Sequence, residues 1–312
     1  MKTFDGHCDT VSRLYHHREG AGFRRSQGHL DLDRMREQGS WAQFFALFAA
    51  KAWEKKPLWE VFQGQYKVFC REVEANADLV TFCRTAAQAE AAWTDGKQAA
   101  FLSVEGAELL DCDLDKLEQA YRLGVRAVNL TWNYENALSG SNVDCKEKGL
   151  TEQGRAFVRK MQELGMLVDV SHLSDPGFWD VIDLVRKPIF ASHSNSRSVW
   201  PHSRNLTDEQ FSAIIKNGGV AGLNMCDEFV GEDPTLDDLV RHVEHWFSLG
   251  GEDHISLGGD WDGISGMPRG ISGIQDIHKL ADRLLQLNYS EDRVNGIFYA
   301  NLMRVVREAC TM

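Results

Sequence analysis

Histidine and acidic side chains recur at the ends of short apolar segments in this sequence. The first example is "FDGHCDT" (residues 4–10), which places His7 and Asp9 two positions apart. Residues i and i+2 of a β-strand point to the same side, so these two side chains would face the same way. Such a pair is either a pair of metal ligands or an ordinary hydrogen-bonded pair. The other segments are needed to decide between these interpretations.

Four further segments end in residues of the same chemical types. They end at Glu105 in "SVEGAE", His172 in "DVSHLS", His193 in "ASHSNS" and Asp260 in "GGDWDG". Imidazole and carboxylate groups bind divalent ions such as zinc. Two such ions hold a water between them, lower its pKa and polarise a carbonyl group. With Glu105 as a bridge and Asp260 as a proton carrier, the set is typical of a site that hydrolyses an amide or an ester.

These residues can meet only if the segments that carry them end at one rim of the fold. Eight short apolar or β-branched segments alternate with stretches of helical spacing along the chain. The segments are 3–9, 42–48, 99–106, 126–132, 167–172, 188–193, 219–225 and 254–260. Eight such units predict an α/β fold, a (β/α)8 TIM barrel, with its active site at the carboxyl ends of the strands. A doubly wound open sheet is the alternative.

The helical stretches support the same organisation. The segment 114–124 has apolar residues near a 3.6-residue period and is predicted to end at Gly124. Residues 51–95 are long for one connection, so extra helices are expected there. A closing helix is predicted to begin near Ser290. We expect a single metallohydrolase domain over residues 1–312.

Composition limits the partners and the setting of the protein. The formal net charge is −12, and an acidic protein repels nucleic acid and anionic lipid, so neither partner is expected. No run of about 18 apolar residues occurs, so no membrane span is expected. The seven cysteines form no C-x-x-C pair, which indicates free thiols in a reducing compartment. Because the first predicted strand begins within the first few residues, no signal peptide is expected either, and we predict a cytoplasmic location.

Several motifs, in this order, resemble those of the membrane (renal) dipeptidase family, peptidase family M19. The resemblance runs from about residue 3 to residue 307 and includes "DGHCDT", "SVEGAE", "GLTEQGRAFVRKMQELGMLVDVSHLSD", "FASHSNSRSVWPHSRNL" and "GGDWDG". It implies an amidohydrolase-like (β/α)8 barrel, similar to bacterial members, with two Zn²⁺ or similar divalent ions per chain. It also implies hydrolysis of dipeptides, including some with a D-residue on the C-terminal side, by a hydroxide that bridges the metals.

Matched residue by residue, the resemblance implies a complete ligand set. His7 and Asp9 would bind the first zinc ion, His172 and His193 would bind the second, and Glu105 would bridge both.

The resemblance also implies roles for residues around the metals. Asp260 would handle the proton or the amine of the substrate, and Arg204, in "HSRN", would bind the carboxylate of the substrate. A guanidinium fork suits that anion. Trp132, in "LTWN", stands where mammalian members of the family have a histidine that helps to hold the scissile carbonyl group. An indole offers one N–H donor and does not titrate, so Trp132 is predicted to line the substrate pocket.

Three other functions stay open at this point. They are hydrolysis of another small amide (an N-acyl amino acid or a cyclic amide), metal-dependent phosphoester hydrolysis, and binding without catalysis. Arg204 favours a substrate with a free carboxylate, and the acidic balance disfavours a nuclease. The presence of all five metal-ligand residues disfavours an inactive protein. The sequence allows a homodimer but does not determine the oligomeric state.

Overall fold

Eight parallel strands close into a barrel, and one short strand is added at its outside. The computed structural model describes residues 1–17 and 22–311. The strands are β1 (Lys2–Cys8), β2 (Ser40–Phe48), β3 (Val80–Phe82), β4 (Gln98–Glu105), β5 (Val125–Asn129), β6 (Leu167–Asp169), β7 (Phe190–Ala191), β8 (Val220–Leu223) and β9 (Ile255–Leu257).

Pairing of β2 with β4 closes the barrel. The two strands are in parallel register from Ala42↔Ala99 to Phe48↔Glu105. Around the ring the order is β1, β2, β4, β5, β6, β7, β8 and β9, and β9 pairs with β1. The predicted (β/α)8 barrel is therefore confirmed, and the open sheet is excluded.

The short strand β3 was not predicted from the sequence. It pairs with the first residues of β4, starting at Val80↔Gln98, on the side that β5 occupies further along. Three residues are too few for a recognisable alternation of polar and apolar side chains.

Helices and tighter turns connect the strands. The α-helices are α1 (Thr10–His17), α2 (Leu32–Gln38), α3 (Leu58–Ala75), α4 (Ala86–Thr94), α5 (Leu114–Leu123), α6 (Glu152–Leu164), α7 (Asp175–Leu184), α8 (Asp208–Asn217), α9 (Asp227–Val230), α10 (Leu236–Ser248), α11 (His278–Gln286), α12 (Glu291–Asn295) and α13 (Asn301–Ala309). Turns of 3₁₀-helix occur at Lys51–Trp53, Ala107–Leu110 and Ile274–Asp276, and a π-helical turn occurs at Gly296–Ala300. Within residues 1–17 and 22–311, no helix combines the length and the apolar character that a bilayer crossing requires.

Capping residues set the ends of the helices that the sequence predicted. In α5 the N-cap Asp113 accepts a hydrogen bond from the backbone N–H of Lys116, and Gly124 ends the helix with a left-handed φ of 109°. The closing helix begins after Ser290, whose hydroxyl accepts a hydrogen bond from the backbone of Arg293. Both predicted boundaries are confirmed, although the π-helical turn between α12 and α13 was not foreseen.

The interior of the barrel below the rim is filled by aromatic side chains. Phe4 stacks on Phe44 and Phe101 with ring centroids 5.7 and 5.1 Å away. Phe44 of β2 and Phe190 of β7 belong to opposite sides of the ring, yet their centroids are only 5.7 Å apart. These rings therefore occupy the centre of the barrel and give the rim a packed support.

Five strands end earlier than the sequence suggested. The predicted ends were 132, 172, 193, 225 and 260, whereas the strands end at Asn129, Asp169, Ala191, Leu223 and Leu257. His172 and Asp260 have left-handed φ values of 70° and 57°, which a strand cannot continue through. The predicted site residues of β6, β7 and β9 therefore lie on the loops just after these strands, where unusual backbone conformations often accompany function.

Candidate metal centre and substrate cleft

Three histidines surround the carboxylate of Glu105 at the carboxyl rim of the barrel. The Nε2 atom of His7 lies 3.5 Å from Oε2 of Glu105. The Nε2 atoms of His172 and His193 lie 3.0 and 3.5 Å from Oε1. One carboxylate thus contacts imidazoles that lie at or just after the ends of three different strands. Its Oε2 atom faces His7, and its Oε1 atom faces His172 and His193.

Asp9 completes one side of the cluster. Its Oδ2 atom lies 3.4 Å from Nε2 of His7, so the two side chains face the same way as predicted. A ligand atom from each of His7, Asp9 and Asp260 lies within 4.8 Å of the other two. Gly263 borders this group, and a Cβ atom there would lie 2.2 Å from Oδ2 of Asp9, so a side chain would enter the cluster.

The donor atoms fit a metal centre better than a closed hydrogen-bond network. Nε2 of His7 and Oδ1 of Asp9 are buried and have no hydrogen-bond partner among the described residues. Nδ1 of His172 lies 2.8 Å from the amide oxygen of Asn133. An amide oxygen only accepts, so Nδ1 donates and Nε2 presents its lone pair to Glu105. A lone pair and a carboxylate oxygen 3.0 Å apart repel unless a proton or a metal cation lies close to both.

Burial and neighbouring charges shift the pKa values of the cluster in opposite directions. Burial by itself would lower the pKa of His7, but the carboxylates of Glu105 and Asp9 raise that pKa well above its ordinary value. Burial lowers the pKa values of His172 and His193 well below the ordinary range. It raises the pKa of Glu105 to about 7, although His7 beside it acts in the other direction. In the metal-free protein at neutral pH, His7 therefore holds a proton and Glu105 is partly protonated.

Asp260 lies at the edge of the cluster in the loop after β9. Asn224 donates a hydrogen bond of 2.9 Å to Oδ2 of Asp260. Burial raises the pKa of Asp260, while the charge of His7 opposes this change. The side chain is therefore held by one oxygen, and its carboxyl group keeps a raised affinity for a proton.

A buried carboxylate below the cluster fixes two segments of the rim. Oδ1 of Asp5 accepts hydrogen bonds from the backbone of His7 (3.0 Å) and the side chain of Gln43 (2.8 Å). Oδ2 of Asp5 accepts from the backbone of Gly259 (2.9 Å) and the indole N–H of Trp261 (3.0 Å). Asp5 therefore ties β1 to β2 and to the loop after β9.

Asp169 has a similar position under the other two histidines. Its Oδ1 atom accepts hydrogen bonds of 3.0 Å from the backbone N–H groups of Ser171 and Ser192. Each of these serines directly precedes one of the two histidines, His172 and His193, so one carboxylate oxygen sets the spacing of both.

Arg204 is buried beside the cluster, and part of its guanidinium group has no hydrogen-bond partner among the described residues. Nη1 donates to the hydroxyl of Ser194 and Nη2 donates to the backbone oxygen of His193, both at 3.0 Å. Nε is buried without a hydrogen-bond partner among the residues described. Arg204 lines a small polar pocket that also contacts His172 and Asn142, and it is not part of the lining of the open cleft. Both of its hydrogen-bond acceptors are neutral, so its charge has no directly bonded counterion within the described part of the chain.

An open cleft of about 670 Å³ lies above the cluster and contacts Asp9, Glu105, His172 and Asp260. Trp132, in the loop after β5, lines this cleft, with its ring centroid 6.3 Å from that of His172. The structure therefore brings six of the eight predicted site residues into one cluster, with Trp132 in the wall of the cleft and Arg204 beside it.

Sequence reasoning assigned no role to the residues that orient this set. Asn133, Ser192 and Asn224 contact His172, His193 and Asp260, respectively. The only available signal was their position at the ends of predicted strands, in "LTWN", "ASHS" and "GLNM". From the sequence, Asp5 and Asp169 could be recognised only as polar residues within apolar predicted strands.

A closed (β/α)8 barrel with such a histidine and carboxylate cluster at its carboxyl rim defines a metal-dependent hydrolase. The sequence profile of "Membrane dipeptidase (Peptidase family M19)" matches residues 1–312. The chain therefore belongs to the membrane dipeptidase family, peptidase family M19, whose members are metallopeptidases that cleave dipeptides.

Individual relatives agree with this assignment. An uncharacterized dipeptidase of Schizosaccharomyces pombe is 32% identical over 302 residues, which cover 89% of this chain and 71% of that protein. A metallopeptidase of Rhodobacter sphaeroides, solved with a phosphinate mimic of the dipeptide L-Ala-D-Ala, superposes with a TM-score of 0.90 at 28% identity and covers 99% of both chains. The solved structure of dipeptidase AC, from the same family, gives a TM-score of 0.89 at 30% identity and covers 99% of this chain and 98% of that one.

Binding of divalent metal ions should release protons near neutral pH. Metal ligands must be deprotonated, and the pKa values place protons on His7 and partly on Glu105 at pH 7. We expect about one to two protons released per chain at pH 7, with less release at pH 8 because Glu105 is then largely ionised. Calorimetric titration of chelator-treated protein in two buffers of different ionisation enthalpy measures this number. The same titration into metal-loaded protein is the control, and a heat that does not depend on the buffer at pH 7 would contradict the assignment.

Proposed function

We propose that this protein hydrolyses dipeptides with two divalent ions, zinc in the first instance, held by His7, Asp9, Glu105, His172 and His193. The observation that carries the proposal is the set of buried, potentially metal-binding atoms around Glu105. Some of them have no hydrogen-bond partner among the described residues, and Nε2 of His172 faces an oxygen of Glu105. The proposal treats the whole chain as one catalytic domain, because its ligands come from β1 through to β7 and its acid from the loop after β9. The seven free thiols support a reducing, cytoplasmic setting.

Two bound divalent ions would supply a Lewis acid for the scissile carbonyl group and a water of lowered pKa. The protein supplies the orientation. Asn133 fixes the ring of His172, and Ser192 contacts Nδ1 of His193 at 2.6 Å, so both Nε2 atoms face Glu105. Such partners of ligand histidines set both the ring orientation and the tautomer.

We assign proton transfer to Asp260. One of its oxygens is held by Asn224, and the carboxyl group lies beside His7 and Asp9 at the floor of the cleft. A carboxyl group of raised pKa is suited to take a proton from the attacking water and to give it to the departing amine.

We assign recognition of the substrate carboxylate to Arg204. A guanidinium has five N–H donors, and only two are used by Ser194 and His193. A buried cation without a directly bonded counterion is costly, so binding of an anionic group next to it is favourable. A free C-terminal carboxylate, one bond from the last α-carbon of a dipeptide, provides such an anion.

We assign part of the substrate wall to Trp132, which offers an apolar surface and one N–H donor beside His172. The Rhodobacter sphaeroides metallopeptidase binds a phosphinate mimic of L-Ala-D-Ala. This supports the proposal that dipeptides with a D-residue on the C-terminal side are also substrates of this chain.

The first test combines metal content with hydrolysis. Protein purified without chelator should contain about two equivalents of zinc or a similar divalent ion per chain. It should cleave a panel of L-Xaa-L-Xaa and L-Xaa-D-Xaa dipeptides, lose this activity in chelator and regain it when zinc is added. N-acyl amino acids and cyclic dipeptides serve as comparison substrates. Faster hydrolysis of these compounds than of any dipeptide, or activity that survives removal of the metal, would contradict the proposal.

Asp260→Asn should keep the metals and lose most of the activity. The amide cannot accept and release a proton, and general acid-base steps are worth about 10²–10⁴-fold in rate. Metal analysis and kcat for an L-Ala-D-Ala panel member provide the measurements. Asp253→Asn, an exposed change before β9, is the matched control. Near-normal kcat in metal-replete Asp260→Asn would remove Asp260 from the mechanism.

Arg204→Ala should raise KM for dipeptides by about 10²-fold, because a charged hydrogen-bonded contact with the carboxylate is lost. Turnover of the corresponding dipeptide amides, which lack the carboxylate, should change much less. Arg269→Ala removes an exposed arginine and is the control. Equal cleavage of dipeptides and their amides by the unchanged protein would show that Arg204 has no such role.

A further inference from the structure

Four aromatic side chains form a continuous surface at one wall of the cleft, here called the aromatic face: Phe48, Trp53 and Trp132 line the cleft, and Tyr134 packs against Trp132. The ring of Trp132 lies 4.9 Å from Phe48, 5.4 Å from Trp53 and 5.6 Å from Tyr134, measured between centroids. The face is built by the last residue of β2, the loop that follows it and the loop after β5. In the closed barrel, β2 and β5 lie on either side of β4.

Packing within the chain does not account for this surface. Trp53 is 68% exposed and Tyr134 is 49% exposed, whereas Trp and Tyr side chains are usually well covered. Trp53 is presented by the 3₁₀ turn Lys51–Trp53, in which its backbone N–H donates to Ala50. Its ring meets Trp132 edge to face, at 70°. An exposed aromatic cluster that lines a cleft is typical of a ligand surface.

The position of the aromatic face ties it to the reaction centre. Trp132 lies close to the proposed metal ligands, with its ring centroid 6.3 Å from that of His172. A dipeptide whose peptide bond lies at the cluster therefore has one side chain within reach of Trp132, and a large side chain extends from there towards Trp53.

The charges around the aromatic face favour an apolar group over a cation. The acidic residues next to it are paired: Glu54 lies 3.3 Å from His16, and Glu135 contacts Lys148. Asp227 and Glu228 line the same cleft but follow β8, on the opposite side of the ring. A side chain seated on the face thus meets aromatic carbon, and among the described residues the adjacent carboxylates of Glu54 and Glu135 each have a basic partner.

We propose that the aromatic face is the subsite for a large apolar side chain, above all an aromatic one, so that the enzyme prefers dipeptides containing phenylalanine, tyrosine or tryptophan. Stacked or edge-to-face contacts with Trp53 and Trp132 provide the selectivity. This inference rests on the proposed dipeptidase function and specifies its substrate class.

The test compares kcat/KM for Ala-Ala with that for Ala-Phe, Phe-Ala, Ala-Lys and Lys-Ala on zinc-loaded protein. At least one phenylalanine dipeptide should exceed Ala-Ala by about tenfold, since a partly buried phenyl ring contributes that much in affinity. In Trp53→Ala this ratio should fall by about tenfold, and in Trp53→Phe most of it should be kept. Trp179→Ala, which removes a 41% exposed tryptophan of α7, is the matched control and should leave the ratio unchanged.

The outcomes separate this inference from the proposed function. Cleavage of all dipeptides with equal efficiency, or a preference for the lysine dipeptides, would overturn the apolar subsite but leave the dipeptidase function intact. No cleavage of any dipeptide would overturn the proposed function. In that case the subsite is judged by calorimetric binding of L-phenylalanine, L-lysine and L-alanine. Tighter binding of phenylalanine that is lost in Trp53→Ala supports the subsite, and equal binding of the three overturns it.

Discussion

The rim of this barrel depends on two carboxylates that are buried beneath it. Asp5 accepts four hydrogen bonds from β1, β2 and the loop after β9, and Asp169 accepts two from the loops after β6 and β7. A buried carboxylate is expensive unless hydrogen-bond donors reach it, so the backbone around each one has little freedom. Because the donors flank His7, His172 and His193, this constraint also fixes where the imidazoles stand. The phenylalanine side chains packed in the centre of the barrel support these two carboxylates from below.

The cluster above these phenylalanines brings together imidazole lone pairs and carboxylate oxygens that repel one another when no cation is present. Three imidazoles and three carboxylates face one buried volume. The pKa values of His7 and Glu105 are raised there, and those of His172 and His193 are lowered. Such spreading is common at functional sites, where burial and neighbouring charges are arranged around reactive groups. The left-handed backbone at His172 and Asp260 shows the same bias towards function, since both positions aim a side chain at the cluster at the expense of a regular strand.

The sequence predicted the barrel and the members of the cluster well, because both depend on patterns along single strands. Alternating strands and helices indicate the fold, and residue types at strand ends indicate the ligands. The ends of β5–β9 were misplaced because left-handed residues cannot be read from composition, and β3 was too short to show a pattern. The roles of Asn133 and Asn224 were not predicted because their partners are 39 and 36 residues away, and only the closed ring makes them neighbours. The burial of Arg204 beside the cluster likewise follows from tertiary packing alone.

The separation between the aromatic face and the metal ligands has a consequence for how such an enzyme diverges. The proposed ligands lie at strand ends or on the loops directly after them, where Asp5 and Asp169 hold the backbone, whereas Trp53 and Tyr134 belong to surface loops whose backbone tolerates substitution and insertion. Changes at Trp53 and Tyr134 would alter which side chains the proposed subsite accepts without touching the proposed metal ligands. On the proposed function, substitutions at these two positions would therefore change the substrate range while the residues assigned to the chemistry stay the same.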